Sequence, residues 1–300
     1  MKDLIIGSIT NYDWSKVKCW VNSIKKTSFS GDIVLVATNI SKETIDKLTE
    51  KGVILVLRGK PMPDGSYSQE YPNDLAPHVE RFFHIWHYLD TTKENYRYVV
   101  TTDVRDVIFQ ENPFEMFRQD DETNLIFASE EMRYKDEPWG IENMEQAMGP
   151  FFRRQFENDH IFNVGVLAGK TGYVKSLLMM IFQLSCNRPI PVCDQAMFNF
   201  YIHKNYAFNN EDGYLWANND NAWAIQLGTT REAVLAGAGR LGEVYSQHIH
   251  EYDKLYLGKQ PVIDERNIVR NSRGVKFLVV HQYDRIPKLK TEFEKMYGED

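Results

Sequence analysis

Residues 4–57 alternate between short β-branched apolar runs and amphipathic stretches with helix caps, and that alternation leaves few folds open. Leu4-Ile5-Ile6-Gly7-Ser8-Ile9 reads as a strand, and Asp13 can cap a helix from Trp14 that buries Val17, Val21 and Ile24. Residues 32–38 form a second apolar run. Ser41 can cap a short helix carrying Ile45 and Leu48, Gly52 can end it, and residues 53–57 form a third strand. Strands and helices joined this way by short connections close as a parallel sheet with right-handed crossovers. The 300 residues make one large domain or two closely packed halves, and 43% hydrophobic content is ample for a core.

The next strand, Tyr96-Arg97-Tyr98-Val99-Val100-Thr101-Thr102, runs into Asp103-Val104-Arg105-Asp106. Carboxylates thus appear where the apolar run should continue, and buried carboxylates need a counter-charge, hydrogen bonds or a cation. In an open α/β sheet, ligands sit beyond the carboxyl ends of the strands. Two acids flanking Arg105 there suit a divalent metal and a diphosphate; the alternative is a surface turn with a local ion pair. Before this turn, residues 58–77 read as a long loop. A helix from Pro77 to about Leu89 then puts Val79, Phe82, Phe83, Trp86 and Leu89 on one face. Arg81 falls off that stripe, and residue type alone predicts a solvated side chain; His84 and His87 read as surface or partly packed.

Farther on, residues 124–129 read as a strand ending at Glu130 and Glu131, of which one can face a substrate although such pairs are commonly exposed. Residues 161–169 form a strand interrupted by Gly165, which signals a bulge or a close approach by a ligand. An apolar helix over 171–184 is broken by Pro189 and Pro191. Cys193-Asp194-Gln195 opens another, where Asp194 serves either as a capping acid or as a site residue. Residues 205–275 are loop-rich, and Trp216, Asn218, Asn219, Asp220 and Trp223 have side chains suited to sugar faces and hydroxyls, although such side chains are also ordinary loop content. A last strand over 275–280 delivers His281 to its end.

The net charge of -7 argues against nucleic acid or an anionic membrane as partner. Cys19, Cys186 and Cys193 have neither the count nor the spacing of a disulfide framework or a zinc site. The apolar start is too short for a signal peptide, and Leu177 to Leu184 is too short to span a bilayer. These features set the expectation of a cytoplasmic protein without an integral membrane segment.

Taken in order, Thr10-Asn11-Tyr12, the Asp103–Asp106 turn, Asn163-Val164-Gly165, Asp194-Gln195 and His281 resemble the nucleotide-sugar glycosyltransferases of the GT-A fold, especially the glycogenin-like retaining group. The resemblance spans nearly the whole chain. It implies a single domain over 1–300 with a Rossmann-like, mostly parallel central sheet flanked by helices. Within it, 1–110 would be the nucleotide-binding half and 111–300 a loop-rich sugar and acceptor half. It implies transfer of a hexosyl or pentosyl unit from a nucleoside diphosphate sugar, a UDP-sugar by preference, to a glycan or glycoconjugate hydroxyl with retention, as in polysaccharide biosynthesis. Nucleotide contacts then fall to Thr10, Asn11, Tyr12, Arg81, Arg105 and Arg285, with Lys288 a further basic candidate. Sugar contacts fall to Asn163, Gly165 and Asp194, and catalysis to Asp194 and Gln195. Mn²⁺ or Mg²⁺ falls to Asp103, Asp106 and His281. The sequence departs from the family's Asp-x-Asp pattern, because Arg105 stands at the third position and the second acid comes one residue later. Arg105 can therefore meet the diphosphate directly and partly replace the metal.

Three other readings fit parts of the pattern. An inverting transferase would use Glu130, Glu131 or Asp194 as base. A non-catalytic sugar- or nucleotide-binding module would have no need of a metal, and Arg105 suits it. A glycoside hydrolase would use paired carboxylates without a nucleotide-binding half. A nucleotidyltransferase is disfavoured, since Ser8-Ile9-Thr10-Asn11 lacks a glycine- and base-rich first loop.

Overall fold

The computed structural model describes residues 1–69, 75–119, 122–206 and 212–299. Its frame is a seven-stranded sheet. The strands, in chain order, are β1 (Lys2–Thr10), β2 (Asp32–Thr38), β3 (Ile54–Arg58), β4 (Tyr96–Thr102), β6 (Leu125–Arg133), β7 (His160–Lys170) and β8 (Tyr214–Ala217). Their spatial order is β8-β6-β7-β4-β1-β2-β3. Every neighbour pair is parallel except the two made by β7, so the sheet is mixed but mostly parallel.

Both faces of this sheet are covered, which is why its strands read as continuous apolar runs. Successive side chains point to opposite faces. Ile5, Ile9, Leu35 and Val100 pack on one side against helix α1 (Trp14–Lys25). Leu4, Ile6, Val34 and Val99 pack on the other against α3 (Pro77–Thr91) and α6 (Thr171–Ser185). Asp13 caps α1 by accepting from the Lys16 amide. Ser41 caps α2 (Lys42–Glu50) through the Thr44 amide, and Gly52 follows that helix at a positive φ of 69°. The chain crosses outward from β1 to β2 and β3, then returns to lay β4 on the other side of β1. The carboxyl ends of β1 and β4 therefore flank the point where strand order reverses, the place where this architecture leaves a crevice.

A second, three-stranded sheet stands beside the first. It consists of β5 (Val107–Phe109), β9 (Ala224–Gln226) and β10 (Val279–His281), in the order β9-β10-β5. Between β6 and β7 lie two helices, α4 (Pro138–Met148) and α5 (Pro150–Phe156). Helix α7 (Asp194–Asn205) follows α6, and α8 (Gly239–Tyr245) lies ahead of β10.

Several expected boundaries move. The third strand starts one residue later than the apolar run, because the Val53 amide bonds back to the Leu48 carbonyl of α2 at 3.0 Å. β6 runs on through Glu130 and Glu131 to Arg133 rather than ending at them. The last strand shrinks to Val279–His281, since the preceding residues bond in turns to the 269–271 segment and to Ala222 and Trp223. The loop expected over 58–77 holds a short antiparallel pair, Lys60–Pro61 with Tyr67–Ser68. The stretch 205–275 holds short helices at Arg231–Leu235, Gly239–Tyr245 and Ile249–Tyr252. Both stretches also contain positions outside the described residues. Trp216 and Trp223 are corrections of another kind: they are core residues rather than sugar platforms. The Trp216 ring lies 4.9 Å from those of Phe127 and Phe162, and Trp223 is fully buried with its indole N–H on the Pro113 carbonyl.

One buried amide ties α7 to β7 ahead of the site. Asn199 accepts from the Phe162 amide at 2.9 Å and donates to the Phe162 carbonyl at 2.8 Å and the Gln195 carbonyl at 2.9 Å. Deleting it strands buried backbone groups, each costing about 1–3 kcal/mol. Asn199→Ala is expected to lower unfolding free energy by about 2–4 kcal/mol, read from urea denaturation. A loss no larger than the roughly 0.5 kcal/mol of a surface substitution would show that the tie is dispensable.

Candidate functional site

Asp103 follows β4 directly, and its amide bonds to the Gly165 carbonyl at 2.7 Å. That bond ties the acidic turn to β7. Along β7, pairing with β6 jumps from Phe127↔Leu167 to Ala128↔Asn163, so Val164, Gly165 and Val166 bulge away from β6. Asn163 stabilises the bulge by accepting from the Gly165 amide at 2.7 Å, and Gln195 accepts from the Val164 amide at 3.2 Å. Gly165 has to be glycine for want of space. A Cβ there would lie 2.5 Å from His281 Cε1, 2.6 Å from Asp103 Oδ2 and 2.8 Å from Asn163 Oδ1.

The turn after Asp103 solves the orientation of the second acid. A regular strand would send Asp103 and Asp106 to opposite faces, but the chain turns at 104–106 before β5 begins. β5 pairs antiparallel with β10, setting His281 opposite Val107, and the Gln282 amide bonds to the Asp106 carbonyl at 2.8 Å. Asp103, Asp106 and His281 consequently offer ligand atoms that all lie within 4.8 Å of one another. His281 Nε2 is 3.5 Å from Asp103 Oδ2 and 3.7 Å from Asp106 Oδ1. On its other side, Nδ1 is 2.7 Å from Gln226 Oε1, an atom that only accepts. Nδ1 therefore carries the proton, and the Nε2 lone pair faces the carboxylates. Burial pushes the imidazole pKa down, more than the nearby Asp106 and Glu130 raise it, so the ring favours its neutral form.

Arg81 is the counter-charge. It projects from the first turns of α3 to Asp103, and its second nitrogen donates to Asp194 at 2.9 Å. The solvated side chain expected from residue type is corrected: Arg81 is only 15% exposed and joins the β4 tip to the start of α7. Asp194 is buried and bonded to that guanidinium, which goes beyond a capping role.

These groups open into one cleft of about 770 Å³. Among the residues singled out from the sequence, Thr10, Tyr12, Arg81, Asp103, Arg105 and Asp106 line it from the first part of the chain. Asn163, Gly165, Asp194, Gln195, His281 and Arg285 line it from the second. Asn11 does not line it; a positive φ of 59° turns it aside, and its side chain bonds Asn39. Lys288 does not line it either. Glu130 and Glu131 part ways at a second irregularity of β6, where Glu131 takes a positive φ of 54°. Neither is exposed. Glu130 faces the cleft and accepts from Asn163 at 2.7 Å and Gln195 at 2.8 Å, while Glu131 turns away to the Asn219 amide. Burial pushes the Glu130 carboxyl up despite those two donors.

Electrostatics divide the cleft. Inside, Asp103, Asp106 and Asp194 stand against one guanidinium, Arg81. At the rim, Arg105 and Arg285 both lean on Asp284, at 3.4 and 3.7 Å, so two cations share one carboxylate. The two-carboxylate, one-imidazole set suits a divalent metal ion. Gln226 fixes the imidazole as an outer partner of a metal ligand does, and the bare Gly165 leaves the approach open. The residues present thus fit a divalent cation.

Sequence reasoning missed several lining residues: His78, Glu137, Trp139, Arg240 and Glu243, as well as Gln226 behind His281. Only Glu137 carried a local signal, an acid before Pro138 at a helix start. It caps α4 by accepting from the Trp139 and Gly140 amides, and burial, then Glu130, raises its carboxyl to about 7.

No protein-family model matches this sequence, and no curated protein matches it either. Among solved structures, the chain is similar to the glycosyltransferase GlyE of Streptococcus pneumoniae TIGR4, with a TM-score of 0.49 and 13% identity. It is similar to the apo form of the same protein with a TM-score of 0.47 and 13% identity. Each match covers 94% of this chain and 54% of the other, so this chain spans about half the length of that protein.

A carboxyl raised from 4.5 to about 7 holds its proton longer in the folded state, so it subtracts stability as pH rises between those values. Glu137→Gln keeps a cap acceptor and removes the titration. Relative to wild type, the variant is expected to gain stability from about pH 4.5 to about 7 and then level off. Urea unfolding of both proteins across that range measures it, and parallel curves would rule out the raised carboxyl. Gly165→Ala is expected to abolish Mn²⁺ binding in isothermal titration while the far-ultraviolet circular dichroism stays native.

Proposed function

We propose that the chain is a glycosyltransferase that moves a sugar from a nucleoside diphosphate donor, a UDP-sugar by preference, to a glycan hydroxyl. The observation that carries this reading is the convergence of Asp103, Asp106 and His281 with Arg81 and Asp194 in one cleft at the strand-order reversal. In this reading 1–300 is a single domain. Thr10 and Tyr12 hold the nucleoside, and Arg105 and Arg285 meet the diphosphate at the rim, where a guanidinium matches phosphate oxygens. Asn163, Gly165 and Asp194 line the sugar. The inner aspartates Asp103, Asp106 and Asp194 would repel a diphosphate, so the electrostatics ask for a cation held by Asp103, Asp106 and His281. When bound, Mn²⁺ or Mg²⁺ supplies Lewis-acid stabilisation of the charge that builds on the leaving diphosphate.

The protein's own residues do the rest. Arg105 and Arg285 add fixed positive charge where negative charge develops. Asp194, held by Arg81, orients sugar hydroxyls. Gln195, anchored on Glu130 and the Val164 amide, sits at the reacting face beside the acceptor.

We further propose retention of anomeric configuration. Inversion needs a carboxylate free to take the acceptor proton. Asp194 is committed to Arg81, and Glu131 faces the other way. Glu130 has one oxygen occupied by two amides, and Glu137 spends its oxygens on the α4 amides. Glu130 remains the cleft carboxylate that an inverting reaction would use. The anomeric configuration of the product, read by NMR, decides between them.

UDP is expected to bind at least tenfold more tightly with Mn²⁺ than in chelator, a difference of about 1.4 kcal/mol by isothermal titration. His281→Ala should remove that difference, and Gln226→Ala should weaken Mn²⁺ by about 10–100-fold, as loss of an outer partner does. Equal UDP affinity with and without metal would exclude the assigned cation site.

A further inference from the structure

We infer that the acceptor is an oligosaccharide chain rather than a single sugar, and that its second unit sits in a hollow between α4 and α8; this rests on the transferase reading above. The cleft does not end at the reacting groups. Away from the strand tips its wall is made by Glu137 and Trp139 at the start of α4 and by Ala238 and the first turns of α8. Beyond Trp139 and Arg240 lies a second hollow of about 210 Å³, lined by those same two residues with Glu142, Asn143 and Gln146. Trp139 and Arg240 thus form a ridge shared by both spaces, and a ligand longer than one of them crosses it.

The chemistry of the ridge fits a saccharide. Trp139 is 40% exposed, although a side chain that large and apolar is more stable covered. The C–H face of a pyranose is apolar and flat, and an indole covers it at low cost in conformational entropy. Arg240 pairs at the surface with Glu142 of α4 at 3.4 Å and with Glu243 of its own helix at 3.2 Å. The hollow behind is lined by amides and a carboxylate. Asn143, which is buried, is held by donating to the Val192 carbonyl at 2.7 Å, and on the exposed side Gln146 donates to Glu142 at 2.9 Å. Amide and carboxylate oxygens suit ring hydroxyls. Besides Trp139 the hollow is lined by Arg240, Glu142, Asn143 and Gln146, and that polar lining favours sugar over an apolar peptide side chain as its occupant.

The test is a printed array of mono- and oligosaccharides, probed with the full chain in UDP and Mn²⁺, then isothermal titration of the strongest oligosaccharide and its terminal monosaccharide. The oligosaccharide is expected to bind at least tenfold more tightly than the monosaccharide. Trp139→Ala should remove about tenfold of its affinity, Trp139→Phe should keep most of it, and Gln146→Ala, an exposed change, should weaken the oligosaccharide alone. No array oligosaccharide bound above its terminal monosaccharide, or full affinity in Trp139→Ala, overturns the inference. UDP titration separates the two ideas. An oligosaccharide held through Trp139 without any UDP binding sustains the hollow and removes the transferase reading. UDP binding with only monosaccharide recognition does the reverse.

Discussion

Acidic side chains gathered at the tip of a sheet stay there only if something compensates their charge, and in this protein that task falls first to Arg81. Its two terminal nitrogens reach Asp103 at the end of β4 and Asp194 at the start of α7. One side chain thus connects the two halves of the cleft. Breaking such a pair leaves an uncompensated charge in a poorly solvated place, which costs far more than the pair contributes. The geometry downstream depends on it: with Asp103 held by one oxygen, the other is left for His281.

The second constraint is register. His281 stands next to Asp106 because β10 runs antiparallel to β5, and Gln226 stands behind His281 because β9 runs parallel to β10. A slip of one residue in either pairing would send the imidazole to the opposite face. Small strands of three residues therefore do what no local motif could do. They bring His281 against Asp106 and Gln226, which lie far from it in the chain.

Much of the cleft was legible from strand-end logic. Asp103 and His281 were singled out because a polar residue closes an apolar run, and both line it, as does Thr10, which the family resemblance brought in. Gly165 was readable as a glycine out of place in a strand, and the pairing does jump around it. Other residues gave the wrong impression for definable reasons. Arg81 looked like a surface residue because its partners lie on other elements. Trp216 and Trp223 looked like sugar platforms because their sequence neighbours are polar, yet both are sealed in the core. Asn11 shares a motif with Thr10 and Tyr12, but its left-handed backbone takes it out of the cleft. Glu130 and Glu131 are chemically alike and adjacent, and a break in strand pairing gives them opposite surroundings.

The amino-acid sequence alone determined the alternation of strands and helices, the covered sheet, the caps of the first two helices and the acids at the tip of β4. These follow from side-chain periodicity and from backbone groups that must be satisfied locally. Which acids share a space, which one Arg81 holds, how His281 is turned and where Trp139 forms a ridge were decided by tertiary structure. Those relations depend on register and crossover between distant segments. The free energy that sets them comes from burial on both faces of a sheet, which no single stretch of the chain carries.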